Sequence, residues 1–265
     1  MKNIKNYNSI FIVLVFVLLF SQLSILNGQI NIEKQRKGKI KKFFETSLGF
    51  SLSLFKGNTN LLRLNVDFRV DFRKRKNSGF IIGNLTYGEK SGLSYIDKGF
   101  THLRYIRDIF SRFMIETFAQ KEYNDFLRLK KRELAGAGIR IHILSSRGNW
   151  GNFNLYSGIG LMYEIEKYSI SSNDIQKENT SLFKSTNYIS VNFTSNKFSV
   201  NNVTYLQTNI GNDRSTRIYS DFQFAVKLSK ILSYTAGMNY RYANDPAPNV
   251  KNYDLQIKNG LKIIF

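Results

Sequence analysis

Strict alternation of apolar and polar residues is the dominant pattern of the chain beyond its N-terminal region. Between Asn60 and Arg73 an apolar side chain occupies every second position, as the letters NLLRLNVDFRVDFR show. Successive side chains of a strand point to opposite faces, so this period gives one apolar face and one charged face. A helix with the same letters would carry charge on every side. The segment therefore predicts a strand with lipid on one face and water on the other.

The same alternation recurs along the chain, notably in the segments that begin at Phe44, Phe153 and Arg217. A water-soluble sandwich could contain one such strand, but a long series is typical of an all-β, transmembrane, antiparallel up-and-down β-barrel. Turn signals divide the chain into about twelve strands, near residues 42–55, 60–73, 79–88, 95–107, 112–123, 126–143, 150–166, 183–195, 197–210, 215–228, 231–243 and 251–265. An even number returns both chain ends to one side, and ten strands is the alternative count.

The predicted connections sort by length. Those after strands 2, 4, 6, 8 and 10 include the tight turns TSNK and LSKI, whereas the longest loop, near residues 167–182, follows strand 7. In outer-membrane barrels the short turns lie in the periplasm and the longer loops outside. The connections therefore predict that both chain ends face the periplasm.

The N-terminus predicts export. Lys2 and Lys5 precede the apolar run SIFIVLVFVLLF, which is followed by polar or small residues up to Gly28. This is the layout of a secretory signal peptide with cleavage near Gly28, and an uncleaved anchor helix is the alternative. We expect a signal peptide at 1–28, a short basic segment at 29–41 and an outer-membrane barrel at 42–265. The expected location is the cell outer membrane.

Composition and charge narrow the chemistry. The absence of cysteine excludes a disulfide framework, a thiolate metal site, a cysteine nucleophile and a lipoprotein anchor. A net charge of +20 would favour nucleic acid in a cytoplasmic protein. Export argues against that partner, so the same electrostatics points to outer-membrane lipids, lipopolysaccharide and small anionic solutes.

The last residues, KNGLKIIF, place polar Lys258, Gly260, apolar Ile263 and the aromatic Phe265 at the spacing of a C-terminal assembly signal. A final strand with an apolar face and an aromatic at the membrane boundary can pair with an open strand edge of the outer-membrane assembly machinery. Together with the signal peptide and the serial alternation, this ending predicts that machinery as a partner.

Three stretches, GFSLSLFKGNTNLLRLNVDF, IETFAQKEYNDFLRLKKRELAGAGIRIHIL and YLQTNIGNDRSTRIYSDFQFAV, together resemble the barrel family catalogued as domain of unknown function 481. The later stretch YRYANDPAPNVKNYDLQIKNGLKIIF extends the match to the chain end. The resemblance implies a barrel without an established enzymatic activity, and the family includes proteins described as salt-induced outer-membrane proteins. Its most specific residues are Gln120, Glu122, Tyr123, Arg132, Gly136, Gly138, Arg140, Gln207 and Arg217.

No catalytic or metal-binding pattern stands out. The two histidines, His102 and His142, fall on the lumen side by strand phase, where an outer-membrane lipid hydrolase could not use them on lipid. Metal-ligand spacing is absent, and no cofactor motif is found. We expect a protein that is not an enzyme, binds no cofactor and does not bind nucleic acid.

Strand phase places fourteen basic and seven acidic residues on the lumen side. The surplus of positive charge favours a narrow anion-preferring diffusion channel, because arginine and lysine rings set anion selectivity in pores. The alternative is a non-conducting structural or surface-interaction barrel whose lumen is filled by salt bridges. The basic residues are Arg63, Arg69, Arg73, Arg104, Arg128, Lys130, Arg132, Arg140, Lys184, Arg217, Lys227, Arg241, Lys258 and Lys262; the acidic ones are Asp67, Asp71, Glu116, Glu122, Glu164, Asp221 and Asp254.

The hairpin around residue 125 is the centre of this charge pattern. A three-residue connection at 124–126 would set Glu122 opposite Arg128 and Gln120 opposite Lys130, with Arg132 diagonal to Gln120. The prediction is a basic ladder on the sixth strand that projects into the lumen.

Overall fold

The computed structural model describes Ile32, Glu33, Arg36 and residues 43–58, 60–169, 179–211, 215–229, 231–246 and 250–263. The predicted signal peptide and Phe265 lie outside these residues. Twelve strands and one short 3-10 turn occupy the described part of the chain, which confirms the all-β prediction. The strands are β1 Phe44–Phe55, β2 Leu61–Lys74, β3 Asn77–Lys90, β4 Leu93–Asp108, β5 Phe113–Asn124, β6 Leu129–Gly148, β7 Gly151–Tyr168, β8 Asn179–Thr194, β9 Phe198–Asn209, β10 Thr216–Lys227, β11 Leu232–Ala243 and β12 Tyr253–Ile263.

All twelve strands belong to one sheet, in which each strand pairs antiparallel with the next one along the chain. Within the described residues, β1 has only β2 as a strand neighbour and β12 has only β11. Connections after the even-numbered strands are two to four residues long, and the ten-residue connection between β7 and β8 lies on the opposite side. We call these two ends of the sheet the turn side and the loop side. The up-and-down order is the predicted one.

The two faces of the sheet have opposite chemistry. The convex face carries large apolar side chains that nothing in the described chain covers, among them Leu48 at 77% and Phe50 at 69% exposure. The concave face carries charged side chains that are buried, such as Arg104 and Arg140 at 4% each. This distribution is the reverse of a water-soluble protein and follows directly from the alternation in the sequence. No helix in the described residues is long and apolar enough to cross a membrane.

Contacts between distant strands demonstrate that the sheet curls around its concave face. Arg217 of β10 contacts Glu164 and Glu166 of β7, three strands away. Lys98 of β4 lies within electrostatic range of Lys258 of β12. We call the space inside the curl the lumen.

Aromatic rings cover glycines on neighbouring strands and help to fix the register. Each ring stands directly opposite its glycine in the pairing and lies where a Cβ atom would otherwise be. A ring over a glycine restores the apolar contact that the missing side chain cannot make. The pairs are Phe72 with Gly79, Phe68 with Gly83, Tyr123 with Gly99, Phe118 with Gly136 and Tyr188 with Gly158.

Candidate functional site

The lumen contains a buried ion network at the loop side, which we call the loop-side cluster. Arg132, near the start of β6, is its centre. Its guanidinium donates to Glu122 of β5 and, at 2.5 Å, to Glu166 of β7, while Glu164 lies 3.6 Å from its Nε. The members of the cluster are Glu122, Arg132, Glu164, Glu166, Lys184 and Arg217.

Arg217 closes this cluster from across the lumen. Its two terminal nitrogens donate to Glu164 at 2.9 Å and to Glu166 at 2.8 Å, and Lys184 also donates to Glu164. Three cations therefore face three carboxylates, and no side chain in the cluster is more than 7% exposed. A balanced and hydrogen-bonded set is the condition under which buried charges are tolerated.

A second network, the turn-side cluster, is built around a segment that precedes the sheet. Glu33 lies inside the lumen, 5% exposed, and its carboxylate accepts hydrogen bonds from Arg36, at 3.0 Å, and from Arg140. Its backbone N–H donates to the hydroxyl of Tyr205 at 3.1 Å. The members of this cluster are Glu33, Arg36, Arg104, Glu116, Arg140, Tyr188 and Tyr205.

Glu116 is the second carboxylate of the turn-side cluster. It accepts from Arg104 at 2.8 Å and from Arg36. Burial alone would lower the pKa of Arg36, but the Glu116 carboxylate raises it above the ordinary arginine value. Arg36 is therefore a permanent cation inside the lumen.

Ile32 anchors the same segment through apolar contacts. It is 4% exposed and packs with Phe80, Ile82 and Ile106 on the inner face of β3 and β4. Apolar packing beside an ion network fixes the position of Glu33 in a way that the charges alone would not.

Between the two clusters lies a small cavity of about 60 Å³. His102, which is 1% exposed, lines it and donates a hydrogen bond through Nδ1 to the amide oxygen of Gln120 at 3.0 Å. Its Nε2 has no partner among the described residues. Apolar side chains such as Leu134 and Met162 line the cavity beside this nitrogen.

The two ends of the lumen differ. At the loop side, Val250 packs over the buried side chains of Leu127, Leu129 and Tyr168 and caps the loop-side cluster. At the turn side, a vestibule of about 650 Å³ reaches the turn-side cluster at Arg36 and Arg140. The described interior thus has apolar packing at the loop side and a basic vestibule at the turn side.

Strands near the two sheet edges leave part of the lumen lightly filled. We call the inner faces of β4 to β10 the packed side and those of β1, β2, β11 and β12 the sparse side. Small residues such as Gly49, Ser51 and Gly237 face inward on the sparse side. Arg63 and Lys258, which face the same space, form no ion pair within the described residues and are exposed.

Most residues predicted to line the lumen lie on the concave face. Arg132, Arg140, Arg217, Glu116 and Glu122 meet in the two clusters described above. Gln207 points towards Met162, with Nε2 3.9 Å from the sulfur, and Arg69 pairs with Asp71 at 2.5 Å. Asp67 accepts from Asn84 at 2.8 Å, and Asp221 is buried at 4% exposure. Lys258 and Gly260 face inward on β12, whereas Ile263 faces outward.

The predicted register of the β5–β6 hairpin is wrong. Glu122 stands opposite Arg132 and Gln120 opposite Leu134. The 3-10 turn Asp125–Leu127 and a bulge after Glu122 contain residues that a simple ladder would have paired, so the register is shifted. Arg128 lies in the turn with a φ of 54°, and Lys130 is exposed, so neither contributes to a ladder in the lumen.

Sequence reasoning missed Glu33 and Arg36, because the segment at 29–41 was expected to be a short basic connection. It also missed Glu166 and Lys98, which face inward. Two of these four residues are acidic and two are basic, so together they leave the charge balance unchanged; the surplus of positive charge in the lumen is smaller than predicted because Arg128 and Lys130 do not contribute to it. One signal was available: Glu33 is the sole acidic residue before Glu45, within a run of lysines and arginines.

Both histidines lie on the concave face, as predicted. His142 contacts Asn154 at 3.2 Å and stacks on Tyr156 with ring centroids 4.3 Å apart. Within the described residues, no group of three or more histidine, aspartate or glutamate side chains could hold a metal ion.

Fold and interior together define an all-β protein of one up-and-down antiparallel sheet with an apolar outer face and an ionic interior. The family model described as "Protein of unknown function, DUF481" matches residues 48–265, and the chain belongs to this family. Comparisons with curated proteins and with solved structures find no match.

Proposed function

We propose that this protein is an outer-membrane β-barrel with an occluded lumen, a structural or surface-interaction component of the cell envelope that does not conduct ions in its resting state. The observation that carries the proposal is the filling of the packed side by two buried ion clusters and by Glu33. The proposed partners are outer-membrane lipids, lipopolysaccharide and the assembly machinery, and the protein is proposed not to be an enzyme.

Membrane location is supported by the outer face. Side chains such as Leu52, Ile159 and Leu261 are each more than half exposed on the convex face. An apolar surface of this extent is unfavourable in water and favourable against acyl chains. The charged residues at corresponding inward positions match a wet or ionic lumen rather than a lipid contact.

Occlusion is supported by the order of groups along the lumen. From the loop side inward, the apolar cap over Tyr168 is followed by the loop-side cluster, the small cavity and the turn-side cluster with Glu33. Within this series, charged side chains of non-neighbouring strands meet in the interior, as Arg217 of β10 does with Glu164 of β7.

The decisive experiment is single-channel recording of the purified protein in planar bilayers, with insertion verified by a heat-modifiable band in detergent gels. The folded band should be present and the bilayer should remain electrically silent in both polarities. A steady open-pore current from correctly folded protein would overturn the proposal. A band that does not shift on heating, with the protein in a soluble fraction, would overturn the membrane location.

A narrow anion-preferring channel along the sparse side is the second candidate. One observation favours it: Arg63 and Lys258 of the sparse side converge with Lys98 of β4, at the border of the packed side, and none of the three forms an ion pair in the described part of the chain. Unpaired lumen cations attract anions. If any current is recorded, replacing Arg63 and Lys258 with Gln should move the reversal potential in a salt gradient towards cation preference, and an unchanged potential would remove this candidate.

A further inference from the structure

Two arginines of the turn-side cluster stack on aromatic rings of the sheet. Arg104 of β4 lies over the ring of Phe118 at 5.4 Å, and Arg140 of β6 lies over Tyr156 at 3.9 Å. Each side chain is 4% exposed. A guanidinium stacked on an aromatic ring keeps its donors in one plane, which suits recognition of a carboxylate.

The carboxylate that these arginines hold comes from outside the sheet. Glu33 precedes β1 by ten residues and contacts both arginines, with Arg104 at 3.8 Å. It is therefore a tethered occupant, and the tether gives it a high effective concentration at the site. Arg36, three residues further along the chain, contacts Glu33 and Glu116 in the same cluster.

Without Glu33, the site would be short of negative charge. Glu116 is the remaining carboxylate of the turn-side cluster, and Arg104 already occupies it. Arg140 would then be buried beside the hydroxyl of Tyr188, 3.3 Å away, with no acid to neutralise it. A buried, preoriented and unneutralised guanidinium is a binding site for a small anion.

A route to the site exists at the turn side. The vestibule of about 650 Å³ is lined by Arg36, Arg73, Lys76 and Arg140, with Asp71 and Asp108 as its acidic residues. A carboxylate solute in this vestibule would meet Arg140, which lines it.

We propose that Arg104 and Arg140 form a binding site for small carboxylates, which Glu33 fills in the resting protein and which accepts a free carboxylate from the turn side when Glu33 is withdrawn. The site is inferred from side-chain contacts in the lumen and does not depend on whether the lumen is occluded. Only the compartment from which the ligand would enter depends on the proposed membrane location.

Chemical rescue tests this site. Glu33→Ala removes the carboxylate and leaves its space, so acetate should raise the thermal unfolding midpoint of this variant by several degrees, in a saturable way. Chloride at equal ionic strength should have a much smaller effect. Acetate should not shift the wild-type protein, in which Glu33 occupies the site, nor Glu33→Gln, in which the amide fills the same space.

Two further outcomes keep the test sharp. If Glu33→Ala does not refold alone, acetate in the refolding buffer should restore the heat-modifiable band, and chloride should not. Adding Arg140→Leu to Glu33→Ala should abolish the acetate effect. Equal effects of acetate and chloride on Glu33→Ala, or equal effects of acetate on Glu33→Ala and wild type, would overturn the proposal, whatever the bilayer recordings show.

Discussion

The packed side and the sparse side of the lumen are made by one sheet with one alternation, yet they differ in how closely backbone and side chains approach. A Cβ added at Gly138 on the packed side would lie 2.7 Å from the carbonyl oxygen of Ile159, and one at Gly160 would lie 2.8 Å from that of Ala137. On the sparse side, the nearest atom to such a Cβ at Gly237 is 3.8 Å away, and at Gly49 it is 3.6 Å away. Period-two patterning alone therefore does not specify how full a lumen is.

The charges of the two sides also differ, although pairs occur on both, as Arg69 and Asp71 show on the sparse side. On the packed side each cation of the loop-side cluster has a carboxylate partner, whereas Arg63 and Lys258 on the sparse side have none in the described chain. Paired charges therefore stabilise the packed side, where a solute would reach Arg140 only in place of Glu33.

The largest expected effect is the loss of a central cation from the packed side. Arg132→Leu leaves Glu122, Glu164 and Glu166 short of positive charge in a buried site and should destabilise the protein by about 3–5 kcal/mol. Arg63→Leu, the matched change on the sparse side, should cost less than about 1 kcal/mol. Urea unfolding in detergent micelles, followed by far-UV circular dichroism, measures both. Equal costs would mean that the two sides do not differ energetically.

Substitutions on the outer face test whether the difference is confined to the lumen. If the protein lies in the outer membrane as proposed, Val66→Arg on β2 and Phe224→Arg on β10 should each cost about 2–4 kcal/mol near the bilayer midplane, because lipid would contact both strands alike. The same change at the inward neighbours Asn65 and Gln223 should cost less. Refolding into lipid vesicles at a series of urea concentrations gives the values. A small loss of stability on substitution with arginine at either outward position would contradict the assignment of the faces.

The smallest effect is expected from a single methyl group. Gly138→Ala meets backbone atoms that cannot move aside and should cost about 1–3 kcal/mol. Gly237→Ala has open space and should change the free energy of unfolding by no more than about 0.5 kcal/mol. Thermal unfolding of the two variants side by side is sufficient. A neutral Gly138→Ala would indicate that the packed side is looser than the glycine contacts imply.

Local patterns predicted the fold well because the alternation that indicates a strand can be recognised within a few residues. The alternation around Val66 predicted β2 and its two faces without knowledge of any partner strand. The β5–β6 register could not be predicted in the same way, since the left-handed Arg128 and the bulge after Glu122 are choices made by turn geometry.

The ion clusters required information that sequence phase does not contain. Phase predicted that Arg132 and Arg217 face inward, but their common partners on β7 are determined by how the sheet curls. The position of Glu33 could not be predicted for a related reason. Its contacts join a segment outside the strand pattern to β4, β6 and β9.

The hydrogen bond from Glu33 to Tyr205 has a consequence for the order of assembly, because 172 positions separate the two residues. Contacts of such long range form slowly, since the entropy of a very large loop must be lost before any gain. In addition, the contact between Glu33 and Tyr205 cannot form before β9 is available. Glu33 must therefore wait until most of the strands are available, and we expect its burial to be among the last and slowest phases of folding.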